Sequence, residues 1–381
     1  MAPRIAAGLS TAPDAGRAAA EAAREAAAGL GRRETDLAFL FLSAEHLDGA
    51  EEAAAAVADE LEPRVLLGCV AGGVLAQERE LEDGPGAAVW AGALPGATID
   101  PFHLEAPDAA DPPALDDPAL VALLVDPFTF PIGEYLASLN AEQPGLPLVG
   151  GIAAGAGRPG TQALILDGVV LDQGAVGAAV GGIPIRTVVS QGCAPFGREA
   201  VITRAEGNVV HELAGEPALD RLQAEILALD PDEQRQVANG LLVGLVIDEN
   251  KPEYGRGDYV VRGLLGADEN ARSLAVGDRV RVGQTLRFHF RDATSADRDL
   301  REALDEALVG GGTAAGALVF SCNGRGTGMF GEADHDARAV AAALGNPALA
   351  GFFCGGEIGP VGGRAFLHGL TATLAVFFDD D

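Results

Sequence analysis

Residues 349–356 read LAGFFCGG, and the same cadence occurs twice earlier, as LLGCVAGG at 66–73 and LVGGIAAG at 148–155. Aligned, the three segments share glycine at their third and eighth positions: Gly68 and Gly73, Gly150 and Gly155, Gly351 and Gly356. Upstream of each lies a short apolar run, AFLFLS from 38, ALLVDP from 122 and ALVFSC from 317. A stretch of helical periodicity separates run from segment at 49–61, 131–140 and 334–344, and a further apolar run follows at 87–94, 175–182 and 371–378. Apolar runs of this length read as strands. The unit is therefore strand, helix, strand, strand, with the helix making a parallel crossover and the last strand returning. Three copies of one unit predict an α/β fold of mixed sheets.

The remainder fits around those copies. A strand is expected at 4–9, followed by a helix capped near Thr11 or Asp14. Between the second and third copies, 183–316 carries strand patterns at 186–197, 200–213, 241–249, 259–266 and 284–292, and helical ones at 217–228 and 296–308. That order predicts an α+β middle with antiparallel pairing. A boundary near 182–185 divides the chain into regions 1–183 and 184–381, and the acidic, proline-rich APDAADPPALDDP at 106–118 is expected to be a surface connector.

Composition removes several functions. The 381 residues carry a net charge of −30, which repels a phosphate backbone or an anionic lipid surface, so neither nucleic acid nor membrane is an expected partner. The longest apolar runs, 37–42 and 241–247, fall far short of a bilayer span. The expected compartment is the cytoplasm. Lys251 is the one lysine and stands between Asn250 and Pro252, which excludes a Walker A loop and disfavours a pyridoxal Schiff base. Cys69, Cys193, Cys322 and Cys354 have no C-x-x-C spacing, and the six histidines form no H-x-x-x-H or H-E-x-x-H pattern. Reduced thiols and no preformed metal site follow.

The most specific blocks are VFSCNGRG (319–326), GMFGE (328–332), AGFFCGGEIGP (350–360) and LHGLTATLAVF (367–377). They resemble the C-terminal region of the FIST family, proposed small-ligand sensory domains. LGCVAGG (67–73) resembles the glycine motif of the family's N-terminal region, and 260–293 resembles the middle of its C-terminal region. The resemblance covers nearly the whole chain and implies two FIST regions in a ligand-binding signal-transduction protein; no enzymatic turnover of its own is expected. It implies no obligatory cofactor, with a haem-binding gas or redox sensor as an alternative. Family members often carry a kinase, chemoreceptor or cyclase output module; this chain ends at Asp381 without one, so signalling through an unidentified partner protein is expected.

Ligands of sheets with parallel strands gather beyond the carboxyl ends of those strands. Cys322, Asn323, Gly324 and Arg325 leave one such end, and Gly355, Gly356 and Glu357 leave another, with Cys69 in the matching segment of the first copy. Arg325 offers a donor fork for a carboxylate and Glu357 an acceptor for an ammonium, a pair suited to a zwitterion such as an amino acid. Asn323 and the backbone around Gly324 and Gly355 are expected to supply further hydrogen bonds. An amino acid is also the ligand class the resemblance implies. Other readings stay open. Arg325 and Glu357 suit a mutual ion pair, Asn323 and the glycines suit turns, and Cys69, Cys322 and Cys354 suit small buried hydrophobes. A cysteine hydrolase with Cys322 as nucleophile and His335 or His368 as base is a second alternative.

Overall fold

The computed structural model describes residues 2–31, 33–105 and 117–379; residues 106–116 of the expected connector lie outside them. The first copy runs β1 (Arg4–Ser10), α1 (Ala15–Leu30), β2 (Leu37–Ser43), α2 (Ala50–Leu61), β3 (Val65–Ala71), β4 (Gly73–Ala76), β5 (Arg79–Leu81) and β6 (Ala87–Ala93). The second runs β7 (Thr98–Leu104), β8 (Leu120–Val125), α3 (Ile132–Glu142), β9 (Leu148–Ile152), β10 (Leu164–Leu166), β11 (Val169–Leu171) and β12 (Ala175–Gly181). The third opens with β13 (Ile185–Gln191) and is then interrupted. The insertion comprises β14 (Cys193–Glu206), β15 (Val209–Leu213), β16 (Glu216–Pro217), α4 (Ala218–Leu227), α5 (Pro231–Asn239), β17 (Leu241–Val246), β18 (Tyr259–Asp268), β19 (Ser273–Val276) and β20 (Thr285–Arg291). The third copy resumes with α6 (Ala293–Leu308), β21 (Thr313–Cys322), α7 (Gly326–Phe330), α8 (His335–Leu344), β22 (Ala348–Cys354), β23 (Glu357–Val361), β24 (Arg364–His368) and β25 (Thr371–Asp379).

The repeat holds at the level of register. Each copy pairs its two crossover strands in parallel, β2 with β3, β8 with β9 and β21 with β22, and returns antiparallel through β6, β12 and β25. The signature glycines sit at one equivalent point: Gly68 faces Leu40, Gly150 faces Leu123 and Gly351 faces Val319. A Cβ there would lie 2.3, 1.9 and 1.6 Å from the partner's carbonyl oxygen, so the two backbones approach too closely for any side chain. Close approach of backbones explains the cadence.

Each copy also contains a hairpin that the repeat pattern does not reveal, and the copies exchange these hairpins. The β4–β5 hairpin pairs with β22 of the third copy, β10–β11 with β3 of the first, and β23–β24 with β9 of the second. Three six-stranded sheets result: β1-β6-β2-β3-β10-β11, β24-β23-β9-β8-β12-β7 and β13-β25-β21-β22-β4-β5. Their inner faces share one apolar core, where Phe39, Phe41 and Trp90 of the first sheet meet Ala122 and Leu124 of the second and Phe320, Phe352 and Phe377 of the third. Helices cover the outer faces. The alanines of α1 and α2 pack on the first sheet, Tyr135, Leu136 and Leu139 of α3 on the second, and Leu300, Leu304, Val340 and Leu344 of α6 and α8 on the third. Helix α1 starts where the sequence places it, with the Asp14 side chain accepting from the Arg17 N–H.

These three copies form one compact unit, residues 2–190, 300–367 and 371–379. The second unit, 191–299 with 368–370, is antiparallel, as expected of the middle region. Its strands run β14-β20-β17-β18-β19-β15-β16, and an added β14–β15 pairing closes the sheet into a barrel around Phe196, Leu245, Phe288 and Phe290. Among the described residues, no helix is long and apolar enough to cross a membrane.

Candidate functional site

Strand β21 ends in Ser321 and Cys322, and β22 in Cys354, paired directly with Cys322. The chain then turns. The Asn323 N–H donates to the Cys354 carbonyl at 2.9 Å, the Arg325 N–H closes the turn onto the Cys322 carbonyl at 2.8 Å, and the Gly324 N–H reaches the Cys322 sulfur at 3.4 Å. Across the gap the Gly355 N–H donates to the Ile152 carbonyl at 2.9 Å, and the Gly356 carbonyl accepts from the Ile152 N–H at 2.8 Å. The backbone donors expected to serve a ligand at Gly324 and Gly355 are thus already engaged within the protein.

Arg325 is not a surface residue. It is 1% exposed, and its Nε and Nη2 donate to Oδ2 and Oδ1 of Asp336 at 2.6 and 2.8 Å. Asp336, in the first turn of α8, is fully buried and accepts further from Ser321 Oγ at 2.8 Å, with His335 Nδ1 3.1 Å from its other oxygen. Burial alone would raise this carboxyl, but the charge and hydrogen bonds of Arg325 hold it well below the usual range. Phe330 completes the assembly, stacked on His335, with the Arg325 guanidinium 5.2 Å from its ring centre. The bidentate partner of Arg325 is therefore Asp336, which packs on it from a neighbouring helix.

Glu357 is also fully buried. Its Oε2 accepts the Thr371 N–H at 3.1 Å, whereas Oε1 meets no hydrogen-bonding partner among the described residues. Burial pushes this carboxyl up to about 8, against the Thr371 N–H, the Cys322 thiol and the Arg325 charge, which draw it down. The exchanged hairpins place Val74 opposite Phe352, Leu164 opposite Cys69 and Glu357 opposite Gly151, three equivalent positions. Two of them hold core residues. The third holds an acid. Gly151 leaves the space that Cys354 fills, because a Cβ on it would lie 2.2 Å from the Cys354 sulfur.

A raised carboxyl pKa has a definite sign in stability. The folded state keeps the Glu357 proton while the unfolded chain releases it, so the contribution is fully present below about 4.5 and is lost as pH rises towards about 8. Glu357→Gln keeps a neutral group throughout. It should gain on the wild type by on the order of 3–5 kcal/mol across that window. Urea titrations of both proteins at pH 5 and pH 8.5 check this; an equal difference at the two pH values would show that Glu357 is not held protonated.

The other expected residues lie around this acid and the core beneath it. Asn323 and Gly355 are exposed, Cys322 and Gly324 half-buried, and Gly356 buried. The Asn323 side chain lies against Gly72, where a Cβ would meet its Oδ1 at 2.9 Å. Cys69 is buried in the shared core, and burial pushes its thiol far up. Sequence reasoning misses Asp336 and Glu80. Glu80, on the exchanged β5, accepts the Ala337 N–H of α8 at 2.8 Å, and burial, then the charge of Asp336, pushes it up to about 7. Among the described residues its Oε2 is unmatched as well, but its other oxygen caps α8. At the strand ends that match Ser321 and Cys322, Ser43 accepts the Gly86 N–H at 2.8 Å, and Asp126 accepts from the Phe128 N–H at 3.2 Å and from the Thr129 hydroxyl. Those two side chains are spent on neighbouring donors. Among the described residues no three His, Cys, Asp or Glu side chains are placed to hold a metal ion.

Two family models match the chain. One described as the FIST N domain covers residues 36–216, and one described as the FIST C domain covers 218–360. An uncharacterized protein of Mycobacterium tuberculosis is 44% identical over 387 residues, covering 99% of this chain and 100% of the relative. An uncharacterized protein of Mycobacterium bovis is 43% identical over 386 residues, covering 99% of each.

Proposed function

This chain belongs to the FIST family, which is associated with small-ligand sensing and signal transduction, and from that premise we propose that it is a sensor whose ligand is held beside Glu357 at the carboxyl ends of β21 and β22. The supporting observation is the open Oε1 of a fully buried carboxyl at a position that the other copies fill with Val74 and Leu164. A buried polar atom without a partner is costly, and a ligand donor offsets that cost. The fitting ligand is a small polar metabolite bearing an ammonium, such as an amino acid. Its ammonium pairs with ionised Glu357, Asn323 and the half-buried Cys322 form the approach, and Arg325, clamped by Asp336, supplies a fixed positive charge behind the site. The signal passes to a partner protein in the cytoplasm, and the protein has no turnover of its own.

A thermal-shift screen of the purified chain against amino acids and simple amines tests this reading. A ligand at 100 times its Kd raises stability by about 2.7 kcal/mol. Binding an ammonium ionises Glu357, so affinity should rise with pH up to about 8. Glu357→Gln should abolish the shift while remaining folded. If no amine shifts the wild type, or Glu357→Gln responds equally, the site is misassigned; a Soret band in the absorption spectrum would assign a haem sensor instead.

A further inference from the structure

Cys322 and Cys354 are the last residues of adjacent parallel strands and are direct partners in register. Neighbouring strands lie about 4.8 Å apart, inside the Cα separation that a disulfide spans. Side chains alternate along a strand, so Cys322 points to the side that Phe320 faces and Cys354 to the side of Phe352, and both phenylalanines belong to the shared core. The two thiols are therefore neighbours on one face. Both are reduced in the structure, with Cys322 half-buried and Cys354 buried.

Their surroundings divide the labour of thiol exchange. Cys322 is the accessible member, and the Gly324 N–H at 3.4 Å points at its sulfur, a contact that favours the thiolate. The Cys322 thiol lies beside the Glu357 carboxyl, whose Oε1 is open. Cys354 is 0% exposed, so a reagent in solution meets Cys322 first.

We propose that Cys322 and Cys354 are a thiol pair that closes reversibly into a cross-strand disulfide by exchange with a low-molecular-weight disulfide. In the first step the Cys322 proton passes to the ionised form of Glu357, and the thiolate attacks one sulfur of the reagent, forming a mixed disulfide and expelling a thiolate that takes the proton back from Glu357. In the second step Cys354 loses its proton to the same carboxylate and attacks the Cys322 sulfur. The second thiolate leaves and is protonated in turn. One reagent disulfide is reduced to two thiols, and two cysteine thiols are oxidised to one disulfide. The reverse exchange with excess thiol restores the pair. The exchange needs no bound metabolite.

Cystamine is a suitable probe. After incubation of the full chain, alkylation of remaining thiols and tryptic digestion, the product should be peptide 302–325 linked to peptide 339–364, and dithiothreitol should release both. Cys354→Ala should stop at a cysteamine adduct on peptide 302–325. Glu357→Gln should slow the first step at pH 7 on the order of tenfold. A wild type that stops at the adduct, consumes no thiol at position 322, or links either peptide to Cys69 or Cys193 instead would overturn the pairing. An unchanged rate in Glu357→Gln would overturn the assigned proton acceptor.

Discussion

Asp336→Ala is expected to lower the unfolding free energy by about 3–5 kcal/mol, the cost of leaving one member of a buried ion pair alone. Arg325 has no route to water, being 1% exposed, and two of its donors end on Asp336 at 2.6 and 2.8 Å. Ser321 Oγ would lose its acceptor in the same change. Loss of a surface ion pair costs only about 0–1 kcal/mol; Arg325 is buried, so Arg325→Ala should also be severely destabilised. The double replacement Arg325→Met with Asp336→Leu separates charge from packing. Because paired buried charges contribute little net stability, the double variant should recover most of the loss of either single change. Urea unfolding of the wild type, Arg325→Met, Asp336→Leu and the double variant makes the cycle. A loss below about 1 kcal/mol in Asp336→Ala would mean that Arg325 finds water or another acceptor.

The repeat is legible because close backbone approach removes the side chain at the same point of each copy, leaving Gly68, Gly150 and Gly351 as a written mark. The hairpins are less so, although Asp167-Gly168 and Gly362-Gly363 carry the positive φ values of tight turns. Their exchange between copies has no local mark, because the central strand that β4, β10 or β23 meets belongs to another copy, far away in sequence. Helix α5 escapes a reading by apolar periodicity, although Asp230 and Glu233 spell a capping box with proline at its start. At the site, Arg325 and Glu357 stand out as charges among glycines. Asp336 does not, since an acid in the first turn of a helix ordinarily answers the helix dipole. Only the fold brings it to Arg325, eleven residues earlier. Glu357 has the same history: the glycines place it in a turn, whereas pairing with Gly151 makes it the first residue of β23 and turns it into the core.

Gly351→Ala is expected to abolish the native fold. The added Cβ would lie 1.6 Å from the Val319 carbonyl oxygen and 2.6 Å from its carbon, both backbone atoms of the adjoining parallel strand, so no rotamer change relieves the clash. The strands must separate where the ladder joins 316–322 to 348–354, and that ladder also sets the turn at Asn323 and the pairing of Cys322 with Cys354. Moving β22 disturbs β4 as well, because the exchanged hairpin hangs on it from the other side. The loss should exceed about 5 kcal/mol, comparable with the whole stability of a typical domain. Gly133→Ala provides the opposite control. It lies in α3, nothing stands within 4 Å of the added carbon, and replacing a helical glycine stabilises by up to about 1 kcal/mol. Circular dichroism melts of the two variants decide the matter: a Gly351→Ala protein that melts with the wild type would mean that the two strands are farther apart than the register requires, and close backbone approach would no longer explain the repeated glycine.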